Sequence, residues 1–502
     1  MTHSKWLRRA LLSGVALGVA TTGAQADELT ALKAQLEALQ SRVNQLESAP
    51  APAALPDGAS LLTFKRGQGS LSDWNTDRKA EGIIPQDGGF TIAITPTADV
   101  PAPVTEVTVS GYVKGDVIYD FDQDSLGDTF GSGSGINNAR QSVSGVQLHA
   151  TQSRFRIRSR TDTAIGQIRT LIEMDLRGRR AGGNQSVGFQ STGGLISTFV
   201  TGGTPSDDPA PRLRHAWGEW DMTPNWTLGV GRFWRISCDV FTSVGTVDFG
   251  GSAGGCSSTR AAQVRFTYTS GPVSFRFGIV EPLQDRDRNL GGNVAAATTM
   301  GVRPNARNSP DFPNFAAALL YDAPGGHQLF VGAEIEHADV DSSNTNNFFN
   351  DDAVGWEVQG GVNINLADIA TFTGHIQYGD GIVNALGAGS SGFTVVPANT
   401  AGASIQTNAV FGAYAGLSFN VTDTTQFNVQ YGHVSDECQT CAGYTSTNTI
   451  HANILWRPVR QMRLGWEVIY GFKRNTFATS QGAQRRRNED ALRGQFGAWF
   501  FF

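Results

Sequence analysis

Along residues 107–122 apolar and polar side chains alternate. Val107, Val109, Val113, Val117, Tyr119 and Phe121 share one parity; Thr108, Ser110, Lys114, Asp116 and Asp120 share the other. Successive residues of a strand point to opposite faces, so the pattern predicts a strand with one apolar and one polar face. It is about three times as long as the usual strand of five or six residues. The pattern recurs at 462–474, where Met462, Leu464, Trp466, Val468, Tyr470 and Phe472 oppose Arg463, Glu467 and Lys473. It recurs again at 327–339 and 353–366. The full set of predicted strands is 107–122, 149–160, 164–177, 212–222, 226–237, 260–269, 273–281, 314–322, 327–339, 353–366, 369–380, 407–421, 425–436, 446–457, 462–474 and 489–502.

The connections alternate sharply in length. Tight turns such as TDT, TPN, SGP and DAPGG join the members of pairs, whereas long Gly-rich polar stretches, including 178–211, 282–313 and 381–406, separate the pairs. Long amphipathic strands in even number, with short turns at one end and long loops at the other, predict an all-β fold, a 16-stranded antiparallel transmembrane β-barrel spanning 107–502. A soluble sandwich would have shorter strands, and a solenoid would have a fixed repeat length. The chain closes on RGQFGAWFFF, an aromatic last strand of the kind the barrel-assembly machinery of outer membranes reads.

Before the barrel, residues 1–26 read as a secretory signal: a basic start, the apolar ALLSGVALGVA and a small-x-small site ending at Ala26. In residues 27–48, Leu29, Leu32, Leu36, Leu39, Val43 and Leu46 follow a 3–4 spacing. That is a short coiled-coil oligomerisation helix whose copy number the spacing leaves open. Residues 49–106 begin as a Pro/Ala tether and continue as extended segments on the periplasmic side.

Only 17% of residues are charged, and the net charge is −6. A nucleic-acid partner is therefore not expected, although residues 154–160 carry Arg154, Arg156, Arg158 and Arg160 at every second position. On a strand these four form one row about 6.6 Å apart. Turned to lipid, each would cost about 2–4 kcal/mol at mid-depth. The row is thus predicted to line the lumen, with Phe155 and Ile157 facing lipid. The same parity places Lys114, Arg169, Arg265 and Arg276 inside as pore-lining, anion-binding cations, with Glu173, Asp175 and Arg177 beside Arg169. Glu334, Glu336, Glu357 and Glu467 fall on later strands, which predicts a basic wall and a more acidic one.

The third long connection, roughly 238–259, holds Asp239, Asp248 and a cluster of glycines. If it folds inward it forms a constriction and brings its carboxylates opposite the arginines. Cys238 and Cys256 bracket it, and Cys438 and Cys441 form a CxxC in another loop. Disulfides are expected of an exported protein, but the sequence does not choose among the three pairings of four cysteines. No cofactor or metal motif is present, and His215, His375 and His451 have no serine and carboxylate at catalytic spacing, so no enzyme is expected.

The heptad helix, GFTIAITPTADVPAPVTEVTVSGYVKGDVIYDFD, RHAWGEW, LGVGRFW and TVDFGG together resemble the DcaP-like trimeric outer-membrane porins. The resemblance implies a homotrimer in the Gram-negative outer membrane. It also implies a third loop folded into the barrel and passive diffusion of small anionic solutes, dicarboxylates in particular. Phosphate- and polyphosphate-selective porins look similar and supply the alternative; a barrel adhesin or structural anchor, with the long loops outward and the heptad helix inward, is the other.

Overall fold

The computed structural model describes residues 60–502 apart from 67–88, 97–104, 122–128, 131–143, 179–185, 193–194, 202–209, 239–243, 257–259, 283–305, 309–311, 345–346, 383–392, 397–403, 439–442 and 479–483. The signal and heptad segments lie outside the described residues. Two strands come first: β1 (Ser60–Arg66) and β2 (Phe90–Pro96). The barrel follows as β3 (Thr105–Asp120), β4 (Arg154–Thr163), β5 (Gly166–Gly178), β6 (Ala210–Asp221), β7 (Trp226–Trp234), β8 (Arg260–Ser270), β9 (Val273–Val280) and β10 (Asn314–Asp322). It continues as β11 (Gln328–Asn344), β12 (Asn347–Leu366), β13 (Ala370–Asp380), β14 (Ala409–Thr422), β15 (Thr425–Cys438), β16 (Gly443–Val459), β17 (Met462–Ala478) and β18 (Gln484–Phe501). Each pairs antiparallel with the next, and β18 pairs back onto β3, so the 16-stranded barrel is closed.

Side chains alternate as the periodicity predicts. On β3, Val113, Val117 and Tyr119 are exposed, while Lys114, Asp116, Ile118 and Asp120 are buried. The exposed apolar band is a lipid face, since no soluble barrel leaves so continuous an apolar surface uncovered. Aromatic pairs mark both borders: Trp226 packs on Tyr268 at the turn end, and Trp356 on Tyr378 towards the loop end, with ring centroids 5.0 and 5.6 Å apart.

Two departures from the sequence reading lie around the first tight turn. The predicted strand 149–160 is broken at residues 150–153, leaving Gly145–His149 as a separate short strand on β3. At the break the Ser153 hydroxyl accepts the Lys114 backbone N–H at 3.0 Å, replacing a ladder bond. The first tight turn also lies later than the predicted TDT. β4 runs on through Thr163, the chain reverses at Ala164 and Ile165, and Gly166 opens β5 opposite Thr163 with a φ of 116° that suits glycine.

The extended segment before the barrel is part of the barrel sheet. β18 stops at the height of Gly111, where Phe502 exchanges two backbone hydrogen bonds with Gly111 at 3.2 and 3.1 Å. Beyond that point β2 takes over the same edge of β3, pairing Phe90 with Val109 and Ile94 with Thr105. β1 then pairs along β2. The chain thereby covers the strand edge that its own C-terminus leaves open. Gly89 makes the entry, with φ of 83°; a Cβ there would sit 2.3 Å from the Val109 carbonyl oxygen.

Candidate functional site

Arg154, Arg156 and Arg158 all face the interior of the barrel and are buried, while Phe155 between them is exposed on the outside. They do not form an open ladder. Glu173, directly across from Arg156 on β5, accepts its Nε and Nη2 at 2.7 and 2.5 Å. Arg154 lies 3.5 Å from the same carboxylate. From the other side β6 contributes Arg214, which donates to Glu173 at 2.8 Å and to Asp175 at 2.9 Å. Arg212 closes the cluster with two bonds to Asp175.

Arg214 and His215 are consecutive yet both are fully buried, which a regular strand forbids. The pairing explains it: Glu173 faces His215 but Met174 faces Leu213, so Arg214 is the extra residue of a β-bulge. Bulges re-aim side chains in this way. The RLR repeat at 212–214 is itself a short comb and was the available signal for these two arginines, but the bulge that turns Arg214 inward leaves no trace in periodicity.

The other predicted cations are distributed differently. Arg169 reaches Glu219 and Asp221 at 3.1 and 2.7 Å, and Arg265 reaches Glu219 at 2.9 Å. Arg160, nearer the turn end, pairs with Asp162 at 3.3 Å. Arg276 alternates inward between exposed Phe275 and Phe277. Lys114 is committed to structure: it holds Asp116 at 3.0 Å, the Val247 carbonyl at 2.8 Å and the Gln152 side chain, and it lies over the Trp499 ring. Arg463 stacks on that ring at 4.1 Å, and among the described residues it makes no ion pair.

The third long loop folds into the barrel. Its two ends are joined by a Cys238–Cys256 disulfide, which packs with Trp217, Phe233 and Phe330 on the inner face. Cys441 and Asp239 lie outside the described residues. The loop then crosses to the far wall. There the Glu467 carboxylate accepts the backbone N–H groups of Val247 and Asp248, both at 2.6 Å. His451 and Asn453 contact the other Glu467 oxygen at 3.0 and 3.4 Å. Asn453 also donates to the Gly245 carbonyl and Gln377 to that of Gly254. Backbone meets backbone at this crossing, since a Cβ on Gly254 would lie 2.3 Å from the His433 carbonyl oxygen.

Asp248 ties the loop to two further elements. Its carboxylate accepts the N–H of Phe130 in the first long loop at 2.9 Å and those of Gly250 and Gly251 behind it. Arg493, itself bidentate on Asp120, lies 3.8 Å away. Burial pushes the Asp248 carboxyl above the ordinary aspartate value against the pull of Arg493. Next along the loop, Phe249 turns back towards the arginines, with Arg177 and Arg214 over its ring at 4.4 and 5.4 Å.

The predicted acidic wall is largely spoken for. Glu334 is occupied by Arg235, Ser237 and Asn314, and Glu336 by Asn314. Glu467 serves the loop amides. Between them, Gln359, Asn363, Thr373, Gln377, Asn428 and Asn453 make a largely neutral amide and hydroxyl face. The contrast inside the barrel is therefore between an arginine cluster and a neutral wall carrying the loop.

The outer-membrane channel DcaP of Acinetobacter baumannii superposes with a TM-score of 0.60 at 17% identity, covering 79% of this chain and 97% of that one. This chain has the DcaP fold. OmpT of Vibrio cholerae, an outer-membrane protein in its trimer form, gives a TM-score of 0.49 at 12% identity, covering 79% and 99%. Salmonella typhi OmpF gives 0.47 at 10%, covering 79% and 98%. No protein-family model and no curated protein matches the sequence. The DcaP fold accounts for the closed barrel; the identity of the residues inside it belongs to this chain.

Proposed function

We propose that this protein is an outer-membrane porin that passes small hydrophilic solutes and favours anions, with dicarboxylates the preferred class. The observation that carries the reading is the cluster on β4–β6. There Arg154, Arg156, Arg212 and Arg214 gather on Glu173 and Asp175, with Arg158 buried on the same face of β4, under a loop held inside the barrel. A surplus of guanidinium groups in a confined, low-dielectric passage attracts anions and repels cations. Two carboxylates on one small solute match spaced guanidinium forks, which bind carboxylate bidentately. The heptad segment at 27–48 supports an oligomer, the resemblance to the trimeric DcaP-like porins makes it a homotrimer, and the signal segment supports export to a Gram-negative outer membrane.

The test is the reversal potential of purified protein in a planar bilayer under a potassium chloride gradient. An anion-selective sign is expected, with succinate blocking the chloride current; cation selectivity would sink the proposal. Guanidinium forks also fit phosphate, so the alternative, a phosphate- or polyphosphate-selective porin, predicts block by phosphate below the concentration at which succinate acts.

A further inference from the structure

The outward face of the barrel is not uniform. Away from the closure, on β8–β12, the row Val264, Ile279, Phe315, Ile335 and Trp356 is large and apolar throughout, each residue directly opposite the next. On β3–β6 the outward rows are different. Val107 faces Ser159, Ser159 faces Thr170, and Thr170 faces Gly218. One row nearer the turns, Thr105 faces Thr161. The hydroxyls close on each other, Ser159 with Thr170 at 2.6 Å and Thr105 with Thr161 at 3.0 Å.

Contact with lipid gives no reason for this composition. Glycine inside a strand costs about 0.5–1 kcal/mol relative to alanine. The barrel's own packing does not require that cost at Gly218, because a Cβ there would meet nothing closer than 4.0 Å and its φ is not left-handed. Gly115, exposed on the outward side of β3, likewise has nothing within 4 Å of an added Cβ. A strand glycine with open space before it marks a place where another backbone approaches. In lipid, burying apolar surface brings no gain, so association depends on close packing, which small residues permit.

We propose that the outward face of β3–β6 is the contact between copies of this chain. The segment before the barrel selects a second copy as the occupant. That segment joins the barrel sheet at Ser60, where β1 is carried on β2 and β2 on β3. β1 exposes Leu62 and Phe64 on the same outward side, at 55% and 68%. Residues 49–59 connect β1 to the heptad segment and reach at most about 40 Å when fully extended. Half the circumference of the 16-stranded barrel is already about 38 Å at 4.8 Å per strand. Copies gathered by their heptad segments are therefore gathered by the β3 side of the barrel and not by β8–β12. The proposal rests on the oligomer reading of the heptad segment and is independent of solute selectivity.

The experiment uses the full protein in the isolated outer-membrane fraction. A photoreactive benzophenone amino acid is placed at Thr170, at Gly218 or, as a control, at Ile335. Illumination should join chain to chain from the first two positions and not from Ile335. Gly218→Trp and Gly115→Trp have room for the added ring within their own chain. They should remain heat-modifiable barrels yet lose the oligomer in native mass spectrometry of the mild-detergent extract. A monomeric wild type overturns the oligomer reading and the proposal together. An oligomeric wild type overturns the proposed face alone if it cross-links from Ile335 and not from Thr170 or Gly218, or if both folded tryptophan variants stay fully oligomeric. Cross-linking of Thr170 and Gly218 only to lipid or to a different protein does the same. The cross-linking arm decides the matter even if a tryptophan variant fails to fold.

Discussion

Arg156 and Glu173 face each other across the β4–β5 ladder, with two guanidinium nitrogens on one carboxylate oxygen at 2.7 and 2.5 Å, and both side chains are shut off from solvent. Glu173 is also the meeting point of Arg154 and Arg214. One carboxylate thus holds three cations in place, and it tempers the charge they present.

Replacing Glu173 with Gln separates those two roles. Removing one partner from a buried ionic network costs about 3–5 kcal/mol, because the remaining charges are left uncompensated. Thermal unfolding of Glu173→Gln should fall accordingly. The protein that does fold should be more anion-selective than wild type, read as a larger reversal potential of the same sign. An unchanged reversal potential would show that the cluster lies off the conduction path.

Arg463 offers the converse case. Its contact is the Trp499 ring, and neutralising it frees no carboxylate. A cation–π contact of this kind is worth about 2 kcal/mol where the cation is desolvated. Arg463→Gln should therefore cost less stability than Glu173→Gln while lowering anion preference. The pair of measurements, unfolding and reversal potential, should move in opposite proportion to those of Glu173→Gln.

Glu467 is the main clamp on the third loop. In Glu467→Ala the N–H groups of Val247 and Asp248 lose their acceptor, at about 1–3 kcal/mol for each buried donor left unsatisfied. The loop should detach from the far wall. Single-channel recording should show higher and noisier conductance, and a steady wild-type conductance would mean that the Asp248, Gln377 and Asn453 contacts suffice.

The Cys238–Cys256 disulfide closes the same loop at its base, with 18 residues of sequence separation. A bridge across a loop of this size contributes about 3 kcal/mol, chiefly by restricting the unfolded chain. The double variant Cys238→Ser with Cys256→Ser should lower the unfolding midpoint and increase current fluctuations. Reductant should reproduce the second effect in the wild type and have none in the variant.

Much of this architecture is legible without coordinates, because the two-residue repeat of a strand is a local property of the pleat. Strand number, the turn-and-loop alternation and the inward direction of Arg154, Arg156 and Arg158 follow from parity together with the cost of a charge in lipid. Parity says nothing, however, about which residue stands opposite on the next strand. That Glu173 faces Arg156 depends on register, and that Arg214 joins it depends on one inserted residue in β6.

Longer-range features were further from reach for the same reason. β2 on the free edge of β3 and the third loop on Glu467 each need two segments far apart in the chain to meet at one height of the barrel. The sequence alone determined which side of each strand is wet and which is greasy, because that is decided residue by residue against the solvent on each face. Only the closed tertiary structure decided which charges neutralise one another and where the loop lands, because those depend on shear and register summed around the whole barrel.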